Sequence, residues 1–446
     1  MKQVTKKSSL IFLLLSLLAF TVAANAQDAA SAAKQITEFD VNGMKVIVKR
    51  RTGAPTVSAG LFFRGGSRIV TADNAGIESL TLNVASEGSK NFPRAVLRKE
   101  LSRIGSSIGA GSNYDFSALS LSSTKQNFDA SWRMFVDVAL NPTFAASDVE
   151  RVREARLTSL RSANDSPESQ LEELNSKVVY AGHPYANSPD GTIANITRFK
   201  SADLAAYHKS LLQTSRMLLI IVGEFGDIDA EAFRKQIARS FAGVPRGNYK
   251  DTPLPSITFA KPSVDVESKQ TETNYVKGSF AAPPLGSPDY YAMRAAISAL
   301  ATSVFQEVRV KRNLSYAPSA EMNSMAANTA SISVSSVNPN EAVSVMLGEM
   351  KNLRERPLDA ATLKELSGFF LTTHYIKQET NAAQAGELAL YELLGGGWRN
   401  SFVFLDKVRN VTASEVQAAA NKYMRNVRFT VVGNPADVDR TVFLKN

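Results

Sequence analysis

Two spacings of apolar residues alternate along this chain. Strict alternation runs through FSALSLSST from Phe116 and TASISVSSV from Thr329, the period of a half-buried strand. RMLLIIVG from Arg216, an apolar run closing on a glycine, predicts a buried strand, and VRFTVVG from Val427 has the same shape. Elsewhere the period is helical. SADLAAYHKSLLQ from Ser201 and TASEVQAAANKYM from Thr412 each open with a Ser or Thr N-cap followed by an acidic residue in the first turn. In Asn74 to Asn91, NAGIESLTLNVASEGSKN, Ile77, Leu80 and Val84 stand three and four apart and predict an amphipathic helix after a strand ending at Gly65-Gly66.

These elements occur twice. Gly223 and Gly433 lie 210 residues apart, and Pro142 and Pro357, each following a helical stretch, lie 215 apart. A nearly constant offset predicts two copies of one αβ unit. Strands and packed helices in each copy make the expected fold class α+β. The boundary is expected at residues 249–262, YKDTPLPSITFAKP, a Pro-rich polar linker between units at 27–248 and 263–446.

Composition narrows the chemistry. There is no cysteine, which excludes disulfides, thiol catalysis and zinc–cysteine sites. Residues 1–26 read as a cleavable signal peptide: Lys2, Lys6 and Lys7, an apolar run from Leu10 to Ala24, then a small-x-small site at Ala24-Asn25-Ala26. That run is shorter than a spanning helix needs, so export to a bacterial periplasm or beyond is expected, with no stable membrane insertion after cleavage. Without the three signal lysines, 48 basic residues face 42 acidic ones. With no basic block, nucleic acid is not an expected partner.

Gly76-Ile77 and Gly88-Ser89 frame the Asn74–Asn91 helix at the spacing found around the inverted H-x-x-E-H zinc helix. The stretch resembles that of the pitrilysin and insulin-degrading type of metallopeptidase, but the metal chemistry is missing. Ser79, Leu82 and Asn83 stand at the positions of the two His ligands and the catalytic Glu. Ser and Asn are poor zinc ligands and Leu cannot accept a proton. The family's third ligand, a Glu, aligns with Thr158 or Ser159, ahead of Asp165-Ser166-Pro167. YAGHPYANSPDG from Tyr180 fits a further family segment, with His183 read as a loop histidine held by turn geometry. VFQEVRVKRNLSY from Val304 fits the family's Arg/Tyr segment, with Arg309 and Tyr316 seven apart. ALATS, from Ala299, stands where members often carry a Gly-rich loop. Gly395-Gly396-Gly397 reads as a helix end and a mobile turn, with a place on a chamber wall left open, and not as a phosphate loop.

The resemblance implies two homologous αβ domains, each a mainly antiparallel sheet packed against helices, together forming half of a clam-shell chamber. It implies no cofactor in this chain and zinc in a partner. The chain is then expected to be the non-catalytic subunit of a heterodimeric zinc metallopeptidase. It would bind unfolded peptides and supply Arg309 and Tyr316 to the partner's active site. Two alternatives remain open: a purely structural or peptide-binding subunit of a larger assembly, and a hydrolase using Ser79 as nucleophile.

Overall fold

The computed structural model describes residues 34–225 and 230–445; the expected signal segment lies outside them. The first half contains β1 (Ile36–Val41), β2 (Met44–Arg50), β3 (Thr56–Arg64), α1 (Ile77–Ala85), α2 (Arg94–Arg103), β4 (Ser107–Ser112), β5 (Phe116–Thr124), α3 (Phe128–Leu140), α4 (Ala146–Asp165), α5 (Pro167–Val179), α6 (Ile193–Arg198), α7 (Ser201–Leu211), β6 (Met217–Gly223) and α8 (Ala230–Ser240). The second contains β7 (Ser263–Ser268), β8 (Asn274–Ala282), α9 (Tyr290–Val304), a π-helical turn (Phe305–Val310), β9 (Ser319–Met322), β10 (Asn328–Ser336), α10 (Pro339–Glu355), α11 (Ala360–Lys377), α12 (Asn381–Leu394), α13 (Phe404–Arg409), α14 (Ala413–Tyr423), β11 (Arg428–Gly433) and α15 (Arg440–Phe443).

The first sheet runs β1-β2-β6-β3-β5-β4 and the second β7-β11-β8-β10-β9. Without β1 the two orders are the same. Each sheet has one parallel pair, β2 with β6 and β7 with β11, and is otherwise antiparallel. The fold is α+β, with two like units.

The unbroken apolar run of β6 follows from cover on both faces. Met217, Leu219 and Ile221 enter one core with α3 residues Trp132 and Phe135. Leu218, Ile220 and Val222 enter another with Ala385, Leu388 and Trp398 from α12 and the turn after it. Thus α12, from the second half, covers the first half's sheet. The reverse also holds: α5 packs on β8 and β11. There Ser279 Oγ donates to Asn175 Oδ1 at 2.7 Å, and Lys277 Nζ lies 2.7 Å from Glu172. The two halves therefore exchange one helix each. The 249–262 stretch runs along their junction, where Ile257 is buried with Tyr180, Tyr185 and Ala327.

Candidate functional site

The frame around α1 is built for close packing. Gly76 has φ +88°, and a Cβ there would lie 2.6 Å from the Cα of Gly191, itself at φ +78°. The glycines of two separate motifs thus pack back to back. Past the helix, Asp137 of α3 holds residues 89–91. It accepts from Ser89 Oγ (2.6 Å), from both the backbone N–H and the side-chain amide of Asn91 (2.9 Å each), and from Asn141 Nδ2 (2.9 Å). Burial works to raise the Asp137 carboxyl, but these donors outweigh it and hold it below the ordinary aspartate value.

Within that frame α1 departs from the amphipathic helix expected from its spacing. It covers only Ile77–Ala85, and Glu78, Ser79 and Thr81 are buried along with its apolar residues. The polar side is packed against protein. Glu78 pairs with the buried Arg216 at 3.0 Å and accepts from Tyr207 Oη at 2.6 Å. Burial and the Glu78 carboxylate push the Tyr207 hydroxyl up. At the expected ligand positions, Leu82 sits fully in the sheet-side core and Asn83 Nδ2 donates to its own helix at Ser79 O, 2.8 Å. Ser79 Oγ accepts from Arg156 Nη2 of α4 at 2.9 Å, and Arg156 also pairs with Asp190. The serine thus faces a permanent donor that takes no proton. Thr158 and Ser159 are exposed on α4. Among the described residues no cluster of three or more His, Asp or Glu could hold a metal. The motifs did not point to Arg156, although it precedes Ser159 by one helical turn and so shares its side of α4.

The Arg/Tyr segment is brought together. Residues 305–310 form a π-helical turn, in which Lys311 N–H reaches Gln306 O at 2.9 Å. Such turns are rare and concentrate at functional sites. The chain then reverses through Asn313 (φ 51°), placing the Tyr316 ring under Arg309. The guanidinium carbon lies 4.0 Å from the Tyr316 ring centre and 5.1 Å from that of Phe305. Tyr316 is 78% exposed. Glu307, the acid of this turn, is taken by Lys311 and Arg312. Among the described residues no carboxylate pairs with Arg309, and its guanidinium is in contact with two rings. No hydrogen bond, ion pair or ring contact among the described residues joins this pair to Ser79, Leu82 or Asn83.

The three histidines are apart. His183 Nδ1 accepts from the Tyr185 N–H at 3.1 Å and Nε2 donates to Pro255 O at 3.0 Å, a turn histidine that ties the linker. His208 Nε2 meets Ala139 O at 2.9 Å, and burial lowers its pKa. His374 lies beside Glu387 at 3.9 Å. In the glycine turn, Gly395 and Gly397 N–H groups cap α12 at Tyr391 O, and Trp398 is buried against the first sheet, donating to Glu38. Sequence spacing also gave no sign of a buried tie between the halves. Asp115 pairs with Arg68 (3.2 Å) and accepts from Tyr185 Oη (2.6 Å) and from the Ala326 N–H (3.1 Å).

Comparison with known proteins follows the same outline. A model described as insulinase (peptidase family M16) matches residues 45–192, and one described as peptidase M16 inactive domain matches residues 198–367. A "non-peptidase homolog YmxG" of Helicobacter pylori is 22% identical over 418 residues, 90% of this chain and 95% of that protein. Subunit 1 of the human mitochondrial cytochrome b-c1 complex is 22% identical over 265 residues, 59% of this chain. The match spans 54% of that subunit, so the chain covers about half the length of such relatives. In structure, the chain resembles a peptidase M16 inactive domain from Pseudomonas fluorescens, with a TM-score of 0.81, 20% identity, and coverage of 90% of this chain and 98% of that one.

Proposed function

Because the chain belongs to the insulinase (M16) peptidase family, we propose that it is the non-catalytic subunit of an exported heterodimeric zinc metallopeptidase. The observation that carries this reading is a contrast. The positions for metal and base hold Ser79, Leu82 and Asn83, fixed by packing and by Arg156, while Arg309, with no carboxylate partner among the described residues, stacks on an exposed Tyr316. The zinc of a homologous partner would supply the activated water. This chain's part is to hold an extended, unfolded peptide. The forked Arg309 guanidinium donates to a peptide carbonyl and offsets negative charge developing on its oxygen, and the Tyr316 hydroxyl adds a neutral donor. The two rings flanking Arg309 limit its rotamers, so less freedom is lost on binding.

The test is reconstitution of the mature chain with a zinc-bearing homologue from the same organism. Activity is expected only in the mixture, with zinc found only in the homologue. Arg309→Ala is expected to cut turnover by about tenfold to a hundredfold, the usual range for one oxyanion donor or somewhat below. Unchanged turnover would refute the role of Arg309. The relationship to cytochrome b-c1 subunit 1 favours a second reading, a structural or peptide-binding subunit of a larger assembly. Co-purification of the chain with a membrane complex, and no activation on mixing, would establish that reading instead.

A further inference from the structure

The two halves differ at one place that leaves a vacancy. In the first half, α2 lies between the helix on the sheet (α1) and the edge strand (β4). It buries Leu97, Leu101 and Ile104 in a core shared with Phe135 and Val138 of α3 and Ile108 of β4. Its arginines reach the loop after α1 and the start of α4: Arg98 is 2.8 Å from Glu87, and Arg94 is 3.1 Å from Glu87 and 3.6 Å from Asp148. In the second half the chain passes from α9 through the π-helical turn to β9 with no helix between.

Where a counterpart of α2 would lie there is an open groove of about 830 Å³. Its walls are the end of the sheet helix α9, the edge strand β9, the end of α10 and the start of α11, which correspond in chain order to α1, β4, α3 and α4 around α2. Phe305, Ala320, Leu353, Leu358, Leu366 and Phe369 give it an apolar lining. Its charged residues are Glu349, Asp359 and Glu365 against the single cation Arg356, an acidic excess. Asp359 also caps α11 through the Thr362 N–H at 2.7 Å. Phe369 is 57% and Phe305 38% exposed.

We propose that this groove docks an amphipathic helix with a basic polar face, contributed by another polypeptide. Three features specify the occupant. In the first half the corresponding place holds a helix, α2, of ten residues and nearly three turns. The apolar floor matches a stripe at i, i+4 and i+7 such as Leu97, Leu101 and Ile104. The acidic rim selects for Arg and Lys, as on α2, RAVLRKELSR. The inference does not depend on the peptidase reading, but it touches that site: Phe305 forms the groove wall and also lies under Arg309. A docked helix would therefore restrain the ring that orients the guanidinium.

The probe is a labelled synthetic peptide of residues 92–106 of this chain, titrated with the full mature chain by fluorescence anisotropy. Saturable binding that weakens with salt is expected. Phe369→Glu should weaken it by about tenfold or more, the effect of burying a charge against an apolar stripe. Glu365→Lys should weaken it by roughly threefold, as for an exposed ion pair. A peptide with Leu97→Ser and Leu101→Ser leaves the protein untouched and should not bind. Absence of saturable binding, or equal affinity for the wild-type, Phe369→Glu and Glu365→Lys proteins, would overturn the proposal. So would full affinity of a Lys99→Pro peptide, because the groove would then take an extended chain.

Discussion

Glu387 of α12 is a half-buried carboxyl whose charge state responds to pH near neutrality. Its side chain is turned toward the first sheet, where Lys49 of β2 and Lys377 and His374 of α11 face it, with Tyr391 on its own helix. Burial pushes its carboxyl up from 4.5 to about 7, against the opposing pull of Lys49 and Lys377. Burial also lowers Lys49, with Glu387 acting the other way and Arg51 adding to the fall. His374 is lowered by burial and then by Lys49. In the folded protein Glu387 therefore keeps its proton over a range in which the unfolded chain has released it.

The direction of the effect follows. Between pH 4.5 and about 7 the folded state binds more protons than the unfolded state at this position, so stability falls as pH rises. No penalty exists below 4.5, and it is complete above about 7. At about 1.4 kcal/mol per pH unit, the full term is roughly 3 kcal/mol. Glu387→Gln keeps the shape and removes the titration. Unfolding in urea at pH 5 and pH 8 is the assay. The stability of Glu387→Gln relative to wild type is expected to rise between these values by roughly 2 to 3 kcal/mol. Parallel pH dependence in the two proteins would refute the reasoning, because Glu387 would then ionise as freely folded as unfolded.

Other expectations rest on the frame of the degenerate site. Gly76→Ala forces a left-handed backbone onto a residue with a Cβ and drives it into Gly191, so a loss of roughly 2 kcal/mol or more is expected by thermal or urea unfolding. Asp137→Ala strands the donors of Ser89, Asn91 and Asn141, for an expected loss of about 3 kcal/mol at neutral pH. The native carboxyl is depressed, so its contribution is present above 3.8 and lost as pH falls through the folded value; the gap between the two proteins should narrow in acid. Glu78→Gln leaves Arg216 as an uncompensated buried charge, and about 3 to 5 kcal/mol of destabilisation is expected.

Much of the fold was legible because it depends on period and repetition. The alternation of β5 and β10 and the glycine stops of β6 and β11 place equivalent strands at equivalent positions in two sheets of one order. The exchange of α5 and α12 was not legible. Spacing gives a helix a stripe but does not say which sheet the stripe will cover, and the side-chain bonds from α5 to its sheet come from Asn175 and Glu172, which carry no apolar signal. The same limit applies to α1. Ile77, Leu80 and Val84 mark its apolar side, but nothing local shows that Glu78 and Ser79 meet Arg216 and Arg156, 138 and 77 residues away. The π-helical turn beneath Arg309 was hidden because a helix-like spacing does not reveal one extra residue in a turn.

The frame glycines and the Asp137 network have a sufficient explanation in packing, so their presence says nothing about catalysis. Arg309 and Tyr316 do not. Tyr316 is 78% exposed, and the contact between the two is a cation–π stack at the surface, worth about 0.5 to 1 kcal/mol. A pair that the fold barely uses separates function from stability. In an Arg309→Ala/Tyr316→Phe protein the urea midpoint should shift by no more than about 1 kcal/mol equivalent, while peptide turnover by the reconstituted heterodimer falls by at least the Arg309→Ala factor. A destabilisation of several kcal/mol would make the pair a clasp holding the reverse turn at Asn313 against the π-helical turn, and the turnover loss would then carry no information about chemistry. An unaltered midpoint with unaltered turnover would leave the exposed charge without a peptide to hold, and the assembly-subunit reading would replace the peptidase one.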